Sequence, residues 1–273
     1  YGLADFDLRH QWVSSNTRVV LELESSAGEK LAVKIDTAVE PSALWGAHTQ
    51  DWVSRRASGI APKIRKTKAG ALAVHSDGSR IVVSDWVSGT SPRAPEDWWH
   101  VGSALARLHQ IELAHNSFGV PYAAAVDELS RDFAGDSCTA AAESLIARIA
   151  DLPLTPIAVI HGEPAASNLK IAAAGAMLLD WDQAGVGAVV LDLGFPLIRE
   201  FVSSDLGFRT AEAEAFYSGY RSQAGRLPNL PRDVFTAGLF WAMRFMAFHD
   251  REGRWRRVEY AVAHEPALLR AIG

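Results

Sequence analysis

The chain has one cysteine, Cys138, in 273 residues. No internal disulfide can form, and a zinc site built from several thiolates is excluded. A reducing, cytoplasmic setting fits such a chain. Long apolar runs are also missing. No stretch reaches the ~20 residues that a membrane-spanning helix needs, so no membrane partner is expected. The opening segment YGLADFDLRHQW has neither the basic nor the apolar part of a secretory signal. Cationic excess is absent too. Lysine and arginine number 27 against 32 aspartates and glutamates, for a formal net charge of −5. That balance leaves no footprint for nucleic acid. Several reaction motifs do not occur: no Gly-x-x-x-x-Gly-Lys-Ser/Thr, no strand-linked Gly-x-Gly-x-x-Gly, no His-Glu-x-x-His and no Gly-x-Ser-x-Gly.

What the chain does have is ordinary globular composition, 48% hydrophobic and 22% charged, enough for a sizeable core. Arg18 to Leu23 (RVVLEL) and Leu31 to Ile35 (LAVKI) are β-branched, apolar runs joined by turn residues, and predict a hairpin. Trp45 to Ser58 predicts a helix closed by Gly59. Leu72 to His75 and Ser79 to Trp86 predict two strands about Asp77-Gly78. After Gly89 the character changes. Ser91, Pro92 and Pro95 punctuate a loop. Helical spacing then runs through Trp98 to Ile111, Ala123 to Phe133 and Thr139 to Ala150. Two short apolar segments follow, Ile157 to Ile160 and Ala176 to Leu179. Helices are expected again over Leu193 to Ser203, Ala211 to Gln223, Arg232 to His249 and Arg254 to Ile272. The layout is a β-rich part over residues 1–86 and a larger α-rich part over 87–273. A cleft between two such lobes is where a small ligand binds.

Each short apolar segment ends in a polar cluster: His161-Gly162-Glu163, with Asn168 five positions on, and Asp180-Trp181-Asp182. Phosphoryl transfer needs a carboxylate near the attacking hydroxyl and oxygen ligands for Mg2+. Loops at the ends of two adjacent strands can bring all of these to one point. Taken singly, His161 reads as a packed histidine, Asn168 as a helix cap, and Asp180 and Asp182 as turn formers. The joint pattern favours chemistry. Lys34, inside LAVKI, reads alone as a solvent-facing lysine. Its order ahead of the acid, Asn and Asp is that of a kinase strand lysine.

These residues resemble the aminoglycoside-phosphotransferase/choline-kinase superfamily. Its catalytic loop, roughly His-Gly-Asp-x-x-x-x-Asn, is matched by His161, Gly162, Glu163 and Asn168. Its metal segment is matched by Asp180-Trp181-Asp182, with Gly185, Gly187 and Asp192-Leu193 beyond. Leu105 to His109 resembles the helix before the catalytic region, Ser84 to Val87 the interlobe hinge, and Ser14 to Thr17 the nucleotide loop. The likeness runs to about Phe195. It implies an α+β, bilobal protein-kinase-like fold with a small β-rich N-lobe and a larger α-helical C-lobe. It also implies an Mg2+-dependent O-phosphotransferase moving the γ-phosphate of ATP or GTP to a hydroxyl of a small metabolite or antibiotic. Lys34 would grip the α- and β-phosphates, and Ser15, Asn16 and Thr17 would cover them. Main-chain groups of Ser84 and Trp86 would meet the base. Asn168 and Asp180 would hold Mg2+, Glu163 would take the substrate hydroxyl, and Asp192 would brace the catalytic loop.

The chain departs from the family pattern at three points. Glu163 stands where the family has Asp, the nucleotide loop has no glycine, and no glutamate lies between Pro41 and Gly59 to pair with Lys34. Asp51 or Asp180 could take that last part. The alternative function is therefore a degenerate kinase-fold protein that binds nucleotide without transfer. Trp241, Arg244 and Asp250 are candidates to line the acceptor pocket. Arg251, Arg254, Arg256 and Arg257 read as a solvated helix end. Were that run to border the cleft, an acidic or neutral acceptor would suit it better than a cationic aminoglycoside.

Overall fold

The structure is a computed structural model that describes residues 1–15, 17–37, 43–113, 122–133, 139–245 and 251–273. The expectations for Asn16, His249 and Asp250 lie outside the described residues, and of Ser15 only the backbone is described.

Residues 1–85 build one antiparallel sheet and one helix. The strands are β1 (Phe6–Ser15), β2 (Arg18–Ser25), β3 (Lys30–Asp36), β4 (Ile64–Arg65), β5 (Ala73–Ser76) and β6 (Ser79–Asp85). The order across the sheet is β1-β2-β3-β6-β4, with β5 also paired to β6. The hairpin expected at β2 and β3 forms, as does the β5–β6 hairpin about Asp77-Gly78. β1 and the two-residue β4 are strands of this sheet that the sequence did not signal; β1 is the longer. β1 is an edge strand whose Leu8, Trp12 and Val13 stay exposed, so burial imposes no clean alternation on it. Leu31, Val33 and Val83 form the small core beneath the sheet, joined by Leu21, Leu23 and Ile81. Helix α1 (Ala43–Arg56) packs against β4 and the segment Trp181–Gln183.

The rest of the chain is mainly helical: α2 (Pro95–His109), α3 (Tyr122–Asp132), α4 (Thr139–Ala150), α5 (Val189–Arg199), α6 (Thr210–Ala224), α7 (Pro231–Arg244), α8 (Arg251–Ala263) and α9 (Glu265–Ile272). Two small ladders are set among them. β7 (Ile157–Ile160) pairs β10 (Gly185–Ala188), and β8 (Leu169–Ala172) pairs β9 (Gly175–Leu178). α2 begins three residues earlier than its apolar spacing suggests. Pro95 sits in the first turn, where its missing N–H costs nothing. Asp97 accepts the N–H groups of Arg93 and Ala94 at 2.8 and 2.9 Å. The single helix expected over Arg254 to Ile272 is two, broken at His264. Pro266 explains the break, because its ring cannot continue a helix from the preceding turn. The main core is aromatic, with Trp98, Trp181, Trp241, Phe195, Phe201, Phe216 and Phe240 all essentially buried. Each such side chain contributes roughly 2–3 kcal/mol by burial. Among the described residues no helix is long and apolar enough to cross a membrane.

Candidate active site

Strand β7 is buried at Ala158, Val159 and Ile160 and delivers His161 to its end. There the backbone is captured by Asp192 of α5, which is fully buried. Its two carboxylate oxygens accept the N–H groups of His161 and Gly162, each at 2.7 Å. His109 of α2 reaches the same carboxylate at 3.1 Å and is itself fixed by the Tyr220 hydroxyl at 3.0 Å. The His161 ring points inward. Nε2 donates to the Leu179 carbonyl at 2.8 Å, and Nδ1 receives the Glu163 N–H at 3.4 Å. Burial lowers the His161 pKa, which keeps Nδ1 available as an acceptor. Asn168 closes the loop. Its Nδ2 donates to the Glu163 carbonyl at 3.1 Å, and its own carbonyl receives the Leu179 N–H at 2.7 Å.

Gly162 is required by space as well as by conformation. Its φ is +83°, and a Cβ there would lie 2.3 Å from the Gln183 carbonyl oxygen. The 161–163 loop therefore rests directly on the 3₁₀ turn Trp181–Gln183. The Glu163 carboxyl above it is half-buried. Burial first, and the negative charge of Asp180 second, raise its pKa above the ordinary glutamate value, against the pull of Arg199 and Arg18.

Asp180 takes a left-handed conformation, φ +55°, a state Asp adopts more readily than most residues. The turn aims its carboxylate at the sheet. Oδ1 meets Lys34 Nζ at 2.6 Å and Oδ2 meets Arg18 at 3.1 Å. Asp182 meets the same two cations, Lys34 at 2.6 Å and Arg18 at 2.5 Å, with Arg80 at 3.5 Å. Asp36 accepts from Arg18 at 3.1 Å and from Arg80 at 3.3 Å. Three cations thus face three carboxylates. Burial works to raise the Asp180 pKa, but Lys34 and Arg18 outweigh it and hold the group below the usual carboxylate range.

The geometry answers which acid holds Lys34. Asp51 pairs instead with Arg55 at 2.7 Å and Lys66 at 3.7 Å. α1 also sits too close to the aspartate segment to interpose a side chain at Gly46, where a Cβ would lie 2.1 Å from the Trp181 carbonyl oxygen. Asp180 and Asp182 hold the lysine.

Of the residues singled out in the sequence, Lys34, Glu163, Asn168 and Asp180 are gathered into one cluster. Ser15 is in register with Arg18, and the Thr17 carbonyl accepts the Thr37 N–H at 2.8 Å. Ser84 lies inside the sheet, between Ala32 and Ile64. Trp86 gives its N–H to Lys30 at 3.2 Å, so contact with a base would fall to its carbonyl. Trp241 is core, its Nε1 donating to Leu191 at 2.9 Å. Arg244 is half-buried beneath it, and burial lowers its pKa. The arginine run is only partly a solvated helix end. Arg251 and Arg256 are exposed, while Arg254 and Arg257 line a cavity.

Sequence reasoning missed Arg18, Asp36, Arg80 and a partnering part for Asp182. A signal was present. Lys34 and Asp36 are two apart on β3 and share a face, and Asp36 is in register with Arg18 on one side and Arg80 on the other. A charged row across three otherwise apolar strands needs a partner, and the aspartate segment supplies it.

The oxygen donors here suit Mg2+, a hard cation. Asn168 spends its nitrogen on the Glu163 carbonyl and its Oδ1 meets the Ser167 hydroxyl at 3.4 Å, while Asp180 turns its two oxygens to Lys34 and Arg18. Among the described residues no group of three or more His, Cys, Asp or Glu could hold a metal alone. An ion shared with nucleotide phosphates needs only one or two protein oxygens.

The phosphotransferase enzyme family matches residues 14–232. Curated proteins give no significant sequence match. Solved structures do match in fold. An aminoglycoside phosphotransferase from Alicyclobacillus acidocaldarius is 14% identical, with TM-score 0.65, over 99% of this chain and 92% of that one. An amicoumacin kinase in complex with AMP-PNP and Ca2+ is 10% identical, with TM-score 0.70, over 96% and 88%. A choline kinase from Cryptosporidium parvum is 10% identical, with TM-score 0.64, over 99% and 90%. With a kinase-like arrangement of strand lysine, catalytic loop and aspartate segment, and a family match across most of its length, this chain belongs to the phosphotransferase enzyme family.

Proposed function

We propose that the enzyme transfers the γ-phosphoryl group of ATP, or of GTP, to a hydroxyl of a small molecule, in a reaction that depends on Mg2+. One observation carries this reading. Lys34 and Arg18 from the sheet converge on Asp180 and Asp182 at 2.5–3.1 Å, beside the loop that presents Glu163 and Asn168. The amicoumacin kinase with the same fold binds AMP-PNP. Residues 1–86 would act as the nucleotide lobe and residues 87–273 as the acceptor lobe, in a cytoplasmic setting.

Lys34 holds the α- and β-phosphates, and Arg18 turns from the carboxylates to a phosphate oxygen as nucleotide enters. Asn168 Oδ1 and Asp180 hold the ion. When bound, such an ion would neutralise charge that builds up during transfer. Ser15 and Thr17 cover the phosphates, and the main chain near Ser84 and Trp86 meets the base. Glu163 orients the acceptor hydroxyl and takes its proton. A loose phosphoryl transition state asks little proton abstraction of that group, so a glutamate in place of the family's aspartate suffices.

A second reading, nucleotide binding without transfer, rests on Glu163 itself. One experiment separates the two. Hydroxylated metabolites, antibiotics, sugars and choline-like amines are incubated with enzyme, Mg2+ and either ATP or GTP, beside a nucleotide-binding titration. Mass spectrometry that finds a product heavier by one phosphate supports transfer. Tight nucleotide binding with no product from any acceptor favours the second reading.

A further inference from the structure

Arg80 stands at one end of the charged row on the sheet. β6 places it there. Asp36 of β3 is in register with Arg80 on one side and Arg18 on the other, and residues directly opposite across a sheet share a face. The Arg80 side chain is 1% exposed, against 19% for Lys34 and 27% for Arg18. Its Nη2 lies 3.3 Å from Asp36 and 3.5 Å from Asp182. Nε and Nη1 are buried with no hydrogen-bond partner among the described residues. Buried guanidinium N–H groups without acceptors are costly to keep. Packing alone would favour an apolar side chain of that length, so what arginine brings to position 80 is its charge.

The three cations of the cluster differ in what they can reach. Lys34 and Arg18 are partly exposed and can exchange a carboxylate for a phosphate oxygen. Arg80 cannot, because a ligand does not touch a side chain that solvent does not touch. Once Lys34 and Arg18 turn to phosphate, Arg80 is the cation that stays within 3.5 Å of both Asp36 and Asp182. Without its charge, those two carboxylates would hold Lys34 and Arg18 back and repel the incoming phosphates. Charges a few ångströms apart in a partly buried site act on each other strongly.

We infer that Arg80 is a positioning residue for nucleotide binding: it neutralises Asp36 and Asp182 from its buried place on β6, so that Lys34 and Arg18 are released to the phosphates. This role rests on the phosphotransfer reading, since it exists only if nucleotide phosphates enter beside Lys34. It differs from that of a plain tie between β6 and β3. A tie needs both partners, so removing either Arg80 or Asp36 would harm the site in the same direction. A charge balance gives the two removals opposite signs. Loss of Arg80 leaves too much negative charge next to the phosphates, and loss of the Asp36 charge leaves too little. Removing both together restores the balance.

The test is calorimetric titration with AMP-PNP and Mg2+ of wild type, Arg80→Met, Asp36→Asn and the variant carrying both. Arg80→Met should bind about tenfold more weakly, although position 80 cannot touch the ligand. Asp36→Asn should bind about threefold more tightly. The double variant should return to within about threefold of wild type, a coupling between neighbours that independent losses would not give. Weaker binding by Asp36→Asn, no recovery in the double variant, or unchanged affinity in Arg80→Met would each overturn the inference. Arg80→Lys keeps the charge and should stay within about threefold of wild type, and a loss of about tenfold there would overturn it too. If Arg80→Met fails to fold, the sign of the Asp36→Asn change and the Arg80→Lys affinity still decide. Failure of the wild-type protein to bind AMP-PNP at all would strike the phosphotransfer reading, and this role with it.

Discussion

Arg18→Met tests the least expected residue in the cluster. Methionine keeps much of the stem and removes the guanidinium. In the free enzyme Arg18 bonds Asp180 at 3.1 Å, Asp182 at 2.5 Å and Asp36 at 3.1 Å, with its side chain 27% exposed. Two effects on nucleotide affinity oppose each other. Losing Arg18 frees oxygens that the metal ion would use, and partly exposed ion pairs are worth about 0–1 kcal/mol. It also removes a charged donor to the phosphates, worth about 1.5–3 kcal/mol. The second effect is larger. AMP-PNP should therefore bind roughly tenfold to a hundredfold more weakly in the presence of Mg2+. The free protein should lose only about 1–2 kcal/mol of stability, because Lys34 and Arg80 still hold the three carboxylates and Nε of Arg18 is already buried without a partner among the described residues. Calorimetric titration gives the affinity and urea unfolding gives the stability. Unchanged or tighter AMP-PNP binding would refute a phosphate contact and leave Arg18 as part of the resting ion-pair network alone.

Three other substitutions probe the loop. Asp192→Asn keeps the shape but turns an NH₂ group toward a backbone N–H that now meets an oxygen. Urea unfolding should show a loss of about 3 kcal/mol, and a loss under 1 kcal/mol would contradict the bracing assigned to this carboxylate. Gly162→Ala meets both a positive φ and the Gln183 carbonyl 2.3 Å away. It should cost about 2 kcal/mol or more and depress phosphoryl transfer, and wild-type stability would contradict the close contact. Glu163→Gln tests the raised carboxyl pKa. A group protonated more readily in the folded state contributes stability at low pH and loses it as pH rises through its folded pKa. The glutamine variant should therefore melt higher than wild type at pH 7–8. The gap should close below the ordinary glutamate value of 4.5. A gap that widened toward acid pH would reverse the sign of the burial effect.

The residues whose convergence was legible from sequence were those set by spacing along one segment: His161 to Asn168 and Asp180 to Asp182. Lys34 was legible through its order ahead of those two segments. What could not be read were contacts made by register across strands. Arg18 and Arg80 are 62 positions apart in the chain, yet both lie beside Asp36 because β2, β3 and β6 are neighbours. Period-two pattern finds a strand but not which strands pair, so the charged row emerged only in three dimensions. Likewise, four arginines near one helix start read as solvated until the turn of α8 carried Arg254 and Arg257 inward and left Arg251 and Arg256 out. The split of the last helix was available from Pro266 and was overridden by apolar spacing.

The central claim is that Asn168 and Asp180 hold a divalent ion against nucleotide phosphates that Lys34 grips. Mn2+ favours the same oxygen ligands as Mg2+ and reports its own binding by electron paramagnetic resonance. In a Mn2+ titration with AMP-PNP present, wild-type protein should show a bound-ion signal. That signal should vanish in Asp180→Ala and weaken in Asn168→Ala. An undiminished signal in Asp180→Ala would contradict the account.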